Sequence, residues 1–450
     1  MAASDRPYWG YIAASALTAL VPFVQMTALG GNSQLLQAIM APLNFGLCLI
    51  LLPLIRPDGA FWRKAAWVIV LLLAALAWAL LPELAGPGRL PGEPVHMLPD
   101  LGLSNMLRYL AGTAALLAGA MVGYRRGAIG RTVPWFILFG ALNLAIGLMA
   151  RADDPDRLWG MDKTIHHDRF TGTLLNGNAA AAVFGLLAIL AVGQALVLFG
   201  GPRSRSGNAR SIGMALSILA AISCLLACVI TASRSALVLT LGAIFILLIM
   251  ARLSARTLRI RGQWLAVLAI VTAAGAWIGG TMGLMVMERF AQSDGQAIDR
   301  VPIWQHYWDL VQAAPAFGYG LGSFTDANLA HLSTVRQAYQ FSYIHAAHNH
   351  ALQLLLAAGW PFLLLHIIAI ALIIAMIVRT GRREFDPHAR AIWLGLLIVL
   401  TCSMVDIALT VPAIVTLCAL LLGLLWGRAI RRGVSAMRSP KTDGSIFRPD

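Results

Sequence analysis

The feature that most constrains this chain is a succession of apolar runs, each long enough to cross a bilayer. A spanning helix needs about 20 mostly apolar residues. Twelve stretches meet that length: 9–28, 35–55, 65–82, 104–123, 132–150, 176–199, 212–231, 234–251, 265–286, 349–378, 391–408 and 411–427. The sequence is 59% hydrophobic and 12% charged, against roughly 25% charged in a soluble domain. Too little polar surface exists to cover it in water. The expected fold class is an all-α integral membrane protein of about twelve spans, one polytopic unit over 1–432 with a large outer loop at 286–348 that holds short interfacial helices. A polar tail, 433–450, is expected to be disordered and cytoplasmic.

Charge sets the orientation. The net charge of +14 would suggest nucleic acid in a soluble protein. Here the cations fall in short clusters between apolar runs, which fits the positive-inside rule and no nucleic-acid role. With the N-terminus inside, every inner connection is basic: Arg56, Arg63 and Lys64; Arg125, Arg126 and Arg131; Arg203, Arg205 and Arg210; the 252–261 segment; Arg379 to Arg390; and Arg428, Arg431 and Arg432. Both termini are then cytoplasmic. The five cysteines all lie in apolar runs and read as small buried hydrophobes.

Polar chemistry gathers on the outer side. In YIHAAHNHALQLLLAAG (343–359) three imidazoles precede an apolar run that breaks at Gly359-Trp360-Pro361. A short helix at 349–358 followed by the spanning part is expected there, because proline removes a backbone bond. IWQHYWDLVQAA (303–314) places Ile303, Tyr307, Leu310 and Val311 on one helical face, with His306, Asp309 and Gln312 elsewhere, as in an interfacial helix. Arg234 falls in a tight turn between two spans, and Arg300 directly precedes the interfacial helix. A guanidinium near hydrocarbon is costly and is usually paired or used. It is permanently charged and grips phosphate bidentately. Two such groups beside a histidine suggest a lipid-linked phosphate or diphosphate and a base. The bland alternatives are headgroup snorkelling for Arg234 and a solvated loop charge for Arg300.

Other polar features weigh less. His345, His348 and His350 could offer three imidazoles to a metal, but their spacing does not put all three on one helix face. DDPDR (153–157) contains Asp154-x-Asp156, a spacing found in metal-dependent transferases, yet acids in a polar loop are usually just solvated. Glycines 318, 320 and 322 lack the strand and helix of a dinucleotide fingerprint. His366 and Asp406 fall inside expected spans, where ionisable groups are expensive.

Three segments carry a resemblance: RFTGTLLNGNAAA (169–181), TASRSAL (231–237), and the loop running DRVPIWQHYW, APAFGYGLGSF and HAAHNHALQLLLAAG. Together they resemble the O-antigen ligase and Wzy-type polymerase superfamily, and the ligases most. The resemblance implies glycan transfer from undecaprenyl diphosphate to a lipid A–core hydroxyl, at the periplasmic face of a bacterial inner membrane. It implies a metal-independent, inverting reaction with no cofactor. The family histidine maps onto His348 and its arginines onto Arg234 and Arg300. Arg169, Asn176, Asn178, His345 and Asn349 are the candidate substrate contacts. Ser235 stands where many relatives have glycine, and the extra histidines leave the base open among them. A polymerase or a protein O-oligosaccharyltransferase would share the donor chemistry. A transporter or flippase would instead place polar groups at mid-membrane in repeated halves, whereas these gather at one face.

Overall fold

The computed structural model describes residues 8–28, 34–85, 99–163, 169–200, 207–254, 300–381 and 386–438. The expected ninth span, 265–286, lies outside them. The regular elements among the described residues are helices, apart from one hairpin of two-residue strands. The order is α1 (Tyr8–Thr27), α2 (Gln34–Ile55), α3 (Gly59–Ala85), α4 (Pro99–Gly123), α5 (Ala128–Asp153), β1 (Arg157–Leu158), β2 (Met161–Asp162), α6 (Gly177–Gly200), α7 (Gly207–Ile230) and α8 (Arg234–Ser254). After 299 come α9 (Arg300–Ala313), α10 (Phe324–Ala330), α11 (Val335–Phe341), α12 (His350–Gly381), α13 (Pro387–Val405), a 3-10 turn (Ala408–Thr410) and α14 (Pro412–Arg438).

Ten of the described helices are long and apolar enough to cross a membrane, and Ile39–Ile55 within α2 is a shorter apolar stretch. The chain is therefore an all-α integral membrane protein. Two boundaries differ from expectation. The run predicted at 391–408 stops as helix at Val405, so Asp406 sits in the break that follows rather than within a span. The last helix continues to Arg438, past the edge expected at 433, where Val434 is still buried.

Two helices with small residues organise the bundle. The face of α6 is close-packed by glycine on every side. Gly185 abuts Thr240 of α8 and Ile398 of α13, Gly193 abuts Ala391, and Leu186 and Leu187 fill the space left by Gly395 and Gly140. On the other side α4 and α14 cross backbone to backbone. A Cβ on Gly119 would lie 2.9 Å from Leu420 Cα, one on Gly423 would lie 2.8 Å from Ala120 N, and one on Gly427 would lie 2.7 Å from Tyr124 N. Small residues four apart on both partners are what lets lipid-embedded helices approach this closely. Outward faces are apolar, as with Ile212, Leu216 and Leu219 on α7 and Val238, Leu241 and Phe245 on α8, which suits hydrocarbon contact.

The loop helices have a core of their own. Tyr307, Leu310 and Val311 of α9 meet Tyr319, Phe324, Phe341 and Ile344, and the first turns of α12 through Leu352, Leu355 and Leu356. The expected apolar face of α9 is therefore the buried one. His306 departs from expectation: it stacks on Phe341 with ring centroids 4.3 Å apart and faces Asn328 Oδ1 at 3.3 Å. Asn328 is fully buried and donates to the Phe341 carbonyl at 2.8 Å.

The kink in α12 falls at Ala358 and Gly359, where helical geometry is lost. The glycine-rich turn explains it. Tyr319 N donates to Leu356 O at 2.7 Å and Gly320 N to Ala357 O at 3.1 Å. The turn thus captures carbonyls that the bent helix leaves open. Gly318 and Gly359 both have positive φ and face each other too closely for any side chain. The glycines at 318 and 320 join two backbones.

Candidate active site at one end of the bundle

Asp406 is the residue on which the site is built. It follows α13, is 5% exposed, and accepts from Arg300, from Asn178 and from the Ile407 N–H at 2.7 Å. Arg300, the first residue of α9, donates through Nη2 to Oδ2 at 2.8 Å and through Nη1 to the Val405 carbonyl. Asn178, in the first turn of α6, donates to the same Oδ2 at 2.6 Å. Nδ1 of His348 stands 3.5 Å from Oδ1. That separation is an ion-pair distance rather than a formed hydrogen bond, and Nδ1 makes none elsewhere. Catalytic hydrogen bonds are often this long before substrate arrives.

The backbone holds His348 in place. Its φ is +49°, a left-handed conformation uncommon outside glycine, asparagine, aspartate and histidine. The Trp304 indole donates to its carbonyl at 3.3 Å. Asn349, the next residue, caps α12 by accepting from Ala351 N and Leu352 N, and its Nδ2 donates to Met404 O at 3.0 Å. Asn349 therefore anchors α12 to the end of α13 and fixes its neighbour against Asp406.

Burial alone would raise the Asp406 carboxyl. The His348 imidazole, the Arg300 guanidinium and the Ile407 N–H outweigh it and hold the group at about 2. An aspartate held below its ordinary 3.8 contributes stability that is complete above about pH 4 and disappears as pH falls towards 2. The difference amounts to about 2 kcal/mol. Thermal unfolding in detergent should therefore show a loss of that size between pH 5 and pH 2 in the native chain. Asp406→Asn should lack this component; an unchanged acid limb in the variant would remove the argument.

The remaining candidates divide. Asn176 is buried and caps α6, its Oδ1 accepting from Asn178 N at 2.8 Å and Ala179 N at 3.0 Å. This cap aims Asn178 at Asp406. Arg234 begins α8 directly after a turn whose Ala232 has φ +56°. That turn lies against Gly177 at the start of α6, and Arg169 packs on the same glycine. Arg169 and Arg234 thus stand half-buried at the α6 end that presents Asn178. His345 is exposed and is not among the groups that meet Asp406.

Sequence reasoning singled out Asp406 only as a costly intramembrane charge, and missed Arg108 altogether. Arg108, on α4, donates to the Thr410 carbonyl. The 406–410 connection is thus held by Arg300 on one side and by Arg108 on the other. Among the described residues, no cluster of three or more His, Cys, Asp or Glu is placed to ligate a metal.

Residues 218–367 match the family model described as O-antigen ligase. This segment, a third of the chain, places residues 218–367 in the O-antigen ligase and Wzy superfamily. No match to a curated protein was found. The O-antigen ligase segment begins in α7 and ends in α12. It contains Arg234, Arg300, His345, His348 and Asn349. Asp406 and Asn178 lie outside it, yet complete the same polar cluster. A glycosyltransferase of the ligase and polymerase type is the activity that goes with this family.

Proposed function

We propose that the protein transfers a glycan from undecaprenyl diphosphate to a sugar hydroxyl of lipid A–core, at the periplasmic face of the inner membrane, by an inverting and metal-independent displacement. The observation that carries this reading is the shared carboxylate: Asp406 faces an imidazole and a guanidinium at once. Nδ1 of His348 is turned to Asp406, so Nε2 is the nitrogen left for substrate. In the step, the acceptor oxygen attacks the anomeric carbon while its proton passes to His348 Nε2. The bond from that carbon to the diphosphate oxygen breaks, and its electron pair leaves with the undecaprenyl diphosphate. Asp406 stabilises the imidazolium that forms, as the buried aspartate does in a hydrolytic triad.

Arg300 is fixed by its two bonds to Asp406 and Val405, which leaves further N–H donors for the departing diphosphate. Arg234 supplies the second cation and Arg169 a third contact. Fixed cations aimed at developing negative charge cost no reorganisation during reaction. Asn178 belongs to the donor side through its bond to Asp406. His345, exposed on the loop, faces the acceptor. The opposite end of the bundle holds Arg56, Lys64, Arg125, Arg131 and Arg428. The positive-inside rule therefore supports a periplasmic site with both termini in the cytoplasm.

The test is reconstitution of the purified chain with an undecaprenyl-diphosphate glycan and lipid A–core, with a chelator present. Conjugated lipopolysaccharide is expected, and Arg234→Ala should lower its rate by about 10²-fold at unchanged abundance. Product with a second undecaprenyl-linked glycan instead would assign a polymerase. Product on a serine or threonine side chain would assign a protein O-oligosaccharyltransferase. Absence of transfer to all three, or loss on chelation, overturns the mechanism.

A further inference from the structure

Different groups hold the two oxygens of Asp406. Oδ2 takes the bonds from Arg300 and Asn178, while Oδ1 faces His348. The support behind Oδ1 comes from the chain that follows. Ile407 N donates to Oδ1 at 2.7 Å. The Ile407 carbonyl accepts in turn from Thr410 N at 2.9 Å and from Thr410 Oγ1 at 2.7 Å. Leu409 N returns to Ser403 Oγ at 3.1 Å. The 3-10 turn is thus stitched to Asp406, and a displacement of Thr410 is passed to the oxygen that meets the imidazole. The carbonyl of Thr410 itself accepts from Arg108 Nη2. Three consecutive links therefore run from a guanidinium on α4 to Asp406 Oδ1.

The register of two helices explains the reach. Gly112 of α4 lies against α14, where a Cβ would stand 3.4 Å from Val415 Cγ1. Arg108 is one turn before Gly112, and Thr410 is just over one turn before Val415. The glycines of the α4–α14 crossing leave no gap between the backbones, so α4 is a fixed post for the turn above it. Tyr109, the next residue, donates from its hydroxyl to the Leu72 carbonyl at 3.0 Å and meets His366 of α12 edge-on at 5.2 Å. Trp78 of α3 donates to the Ala358 carbonyl at the kink, at 3.0 Å. The carboxylate, through Arg108, and α12, through Tyr109 and Trp78, are thus referred to the same helix pair. Arg108 lies within the apolar stretch Ser104–Gly123, where a permanent charge is expensive. Among the described residues its partners are neutral oxygens, Thr410 O and Asn105 Oδ1, the latter at 3.3 Å. A charged donor strengthens such a bond. We propose that Arg108 is a positioning residue for the transfer, fixing Asp406 Oδ1 at its working separation from His348 by holding the Thr410 carbonyl to α4. This role, which rests on the transfer proposed above, runs through Asp406 and needs no contact with a reacting atom.

Arg108→Met keeps an aliphatic stem and removes the donors. In reconstituted transfer it should lower kcat about 30-fold at unchanged KM for the glycan donor and the acceptor, part of the roughly 10²-fold that a 1 Å displacement costs. With Asp406→Asn already present, the same substitution should cost less than about threefold. Hydrogen–deuterium exchange of the purified chain should show peptide 404–411 exchanging about tenfold faster, with the α4–α14 crossing still protected. Thr410→Val breaks a different link, the hydroxyl bond to the Ile407 carbonyl. It should lower kcat about fivefold in the same non-additive way, whether or not the Arg108 variant inserts. A raised donor KM at native kcat would make Arg108 a substrate contact and overturn the role. So would losses that multiply with those of Asp406→Asn, or native exchange across 404–411. The exchange measurement needs no turnover, so it separates failure of the clamp from failure of the transfer reading.

Discussion

His348→Ala and Asp406→Asn should each lower glycan transfer by about 10³-fold, and the double variant should lose little more than either alone. General-base assistance contributes about 10²–10⁴ in rate, and a carboxylate that orients and charge-compensates such a base contributes on a similar scale. Groups that act as a unit give strongly non-additive losses. Asp406 touches no reacting atom in this scheme. It acts through His348, and an asparagine at 406 still offers Arg300 an amide oxygen, so it is a positioning residue. Its variant should also carry a signature that a merely structural role would not produce: with His348 already removed, Asp406→Asn should change transfer by less than about tenfold. Turnover measured on purified variants of matched abundance decides it. Independent losses that multiply to about 10⁶ would mean that His348 and Asp406 do not form one device. Near-native turnover in either single variant would remove that residue from the mechanism.

What could be read in advance followed from local periodicity and what could not followed from convergence. The apolar runs fix most spans to within a turn, because an uninterrupted apolar segment of that length has nowhere to go but lipid. The buried face of α9 is legible for the same reason: Ile303, Tyr307, Leu310 and Val311 share a stripe. The break at Gly359 is announced by Gly-Trp-Pro. Asp406 is different. Locally it is one carboxylate at the edge of an apolar run, and its meaning comes from Asn178, Arg300 and His348, which are brought to it by three other elements. Nothing within a window around 406 encodes those partners. Arg108 escaped notice for a similar reason: its acceptor is a backbone carbonyl at Thr410, and carbonyls leave no trace in a residue pattern. The signal available was cost. An unpaired carboxylate or guanidinium near hydrocarbon demands a partner, and asking for Asp406's partner would have led to Arg300. The acidic hairpin shows the opposite case. Arg157 pairs with Asp162 at 2.7 Å in the open, as solvated loop charges do.

The second large effect should come from a residue that touches no substrate. Gly359→Ala should abolish detectable transfer while the helical bundle still inserts and remains monodisperse. Two costs combine at this position. Its φ of +72° with ψ of −172° lies in a region that essentially glycine alone occupies, at a cost of about 1–3 kcal/mol for a residue with a Cβ, and the new methyl would overlap the Ala316 carbonyl and press on Gly318 N at 3.4 Å. The glycine turn at 318–322 would have to release Leu356 O and Ala357 O, and with them the loop core that seats Trp304 against the His348 carbonyl. A shift of about 1 Å at a reacting group costs about 10²-fold, and here both the imidazole and the start of α9 with Arg300 depend on the same junction. Far-ultraviolet dichroism and size-exclusion behaviour should match the native protein, since α12 is held below the kink by α3, α13 and α14. Limited proteolysis should report the damage by cutting within 314–345, where the native chain resists. Full activity in this variant would show that the loop finds its place without the junction, and that the kink in α12 is incidental to how His348 meets Asp406.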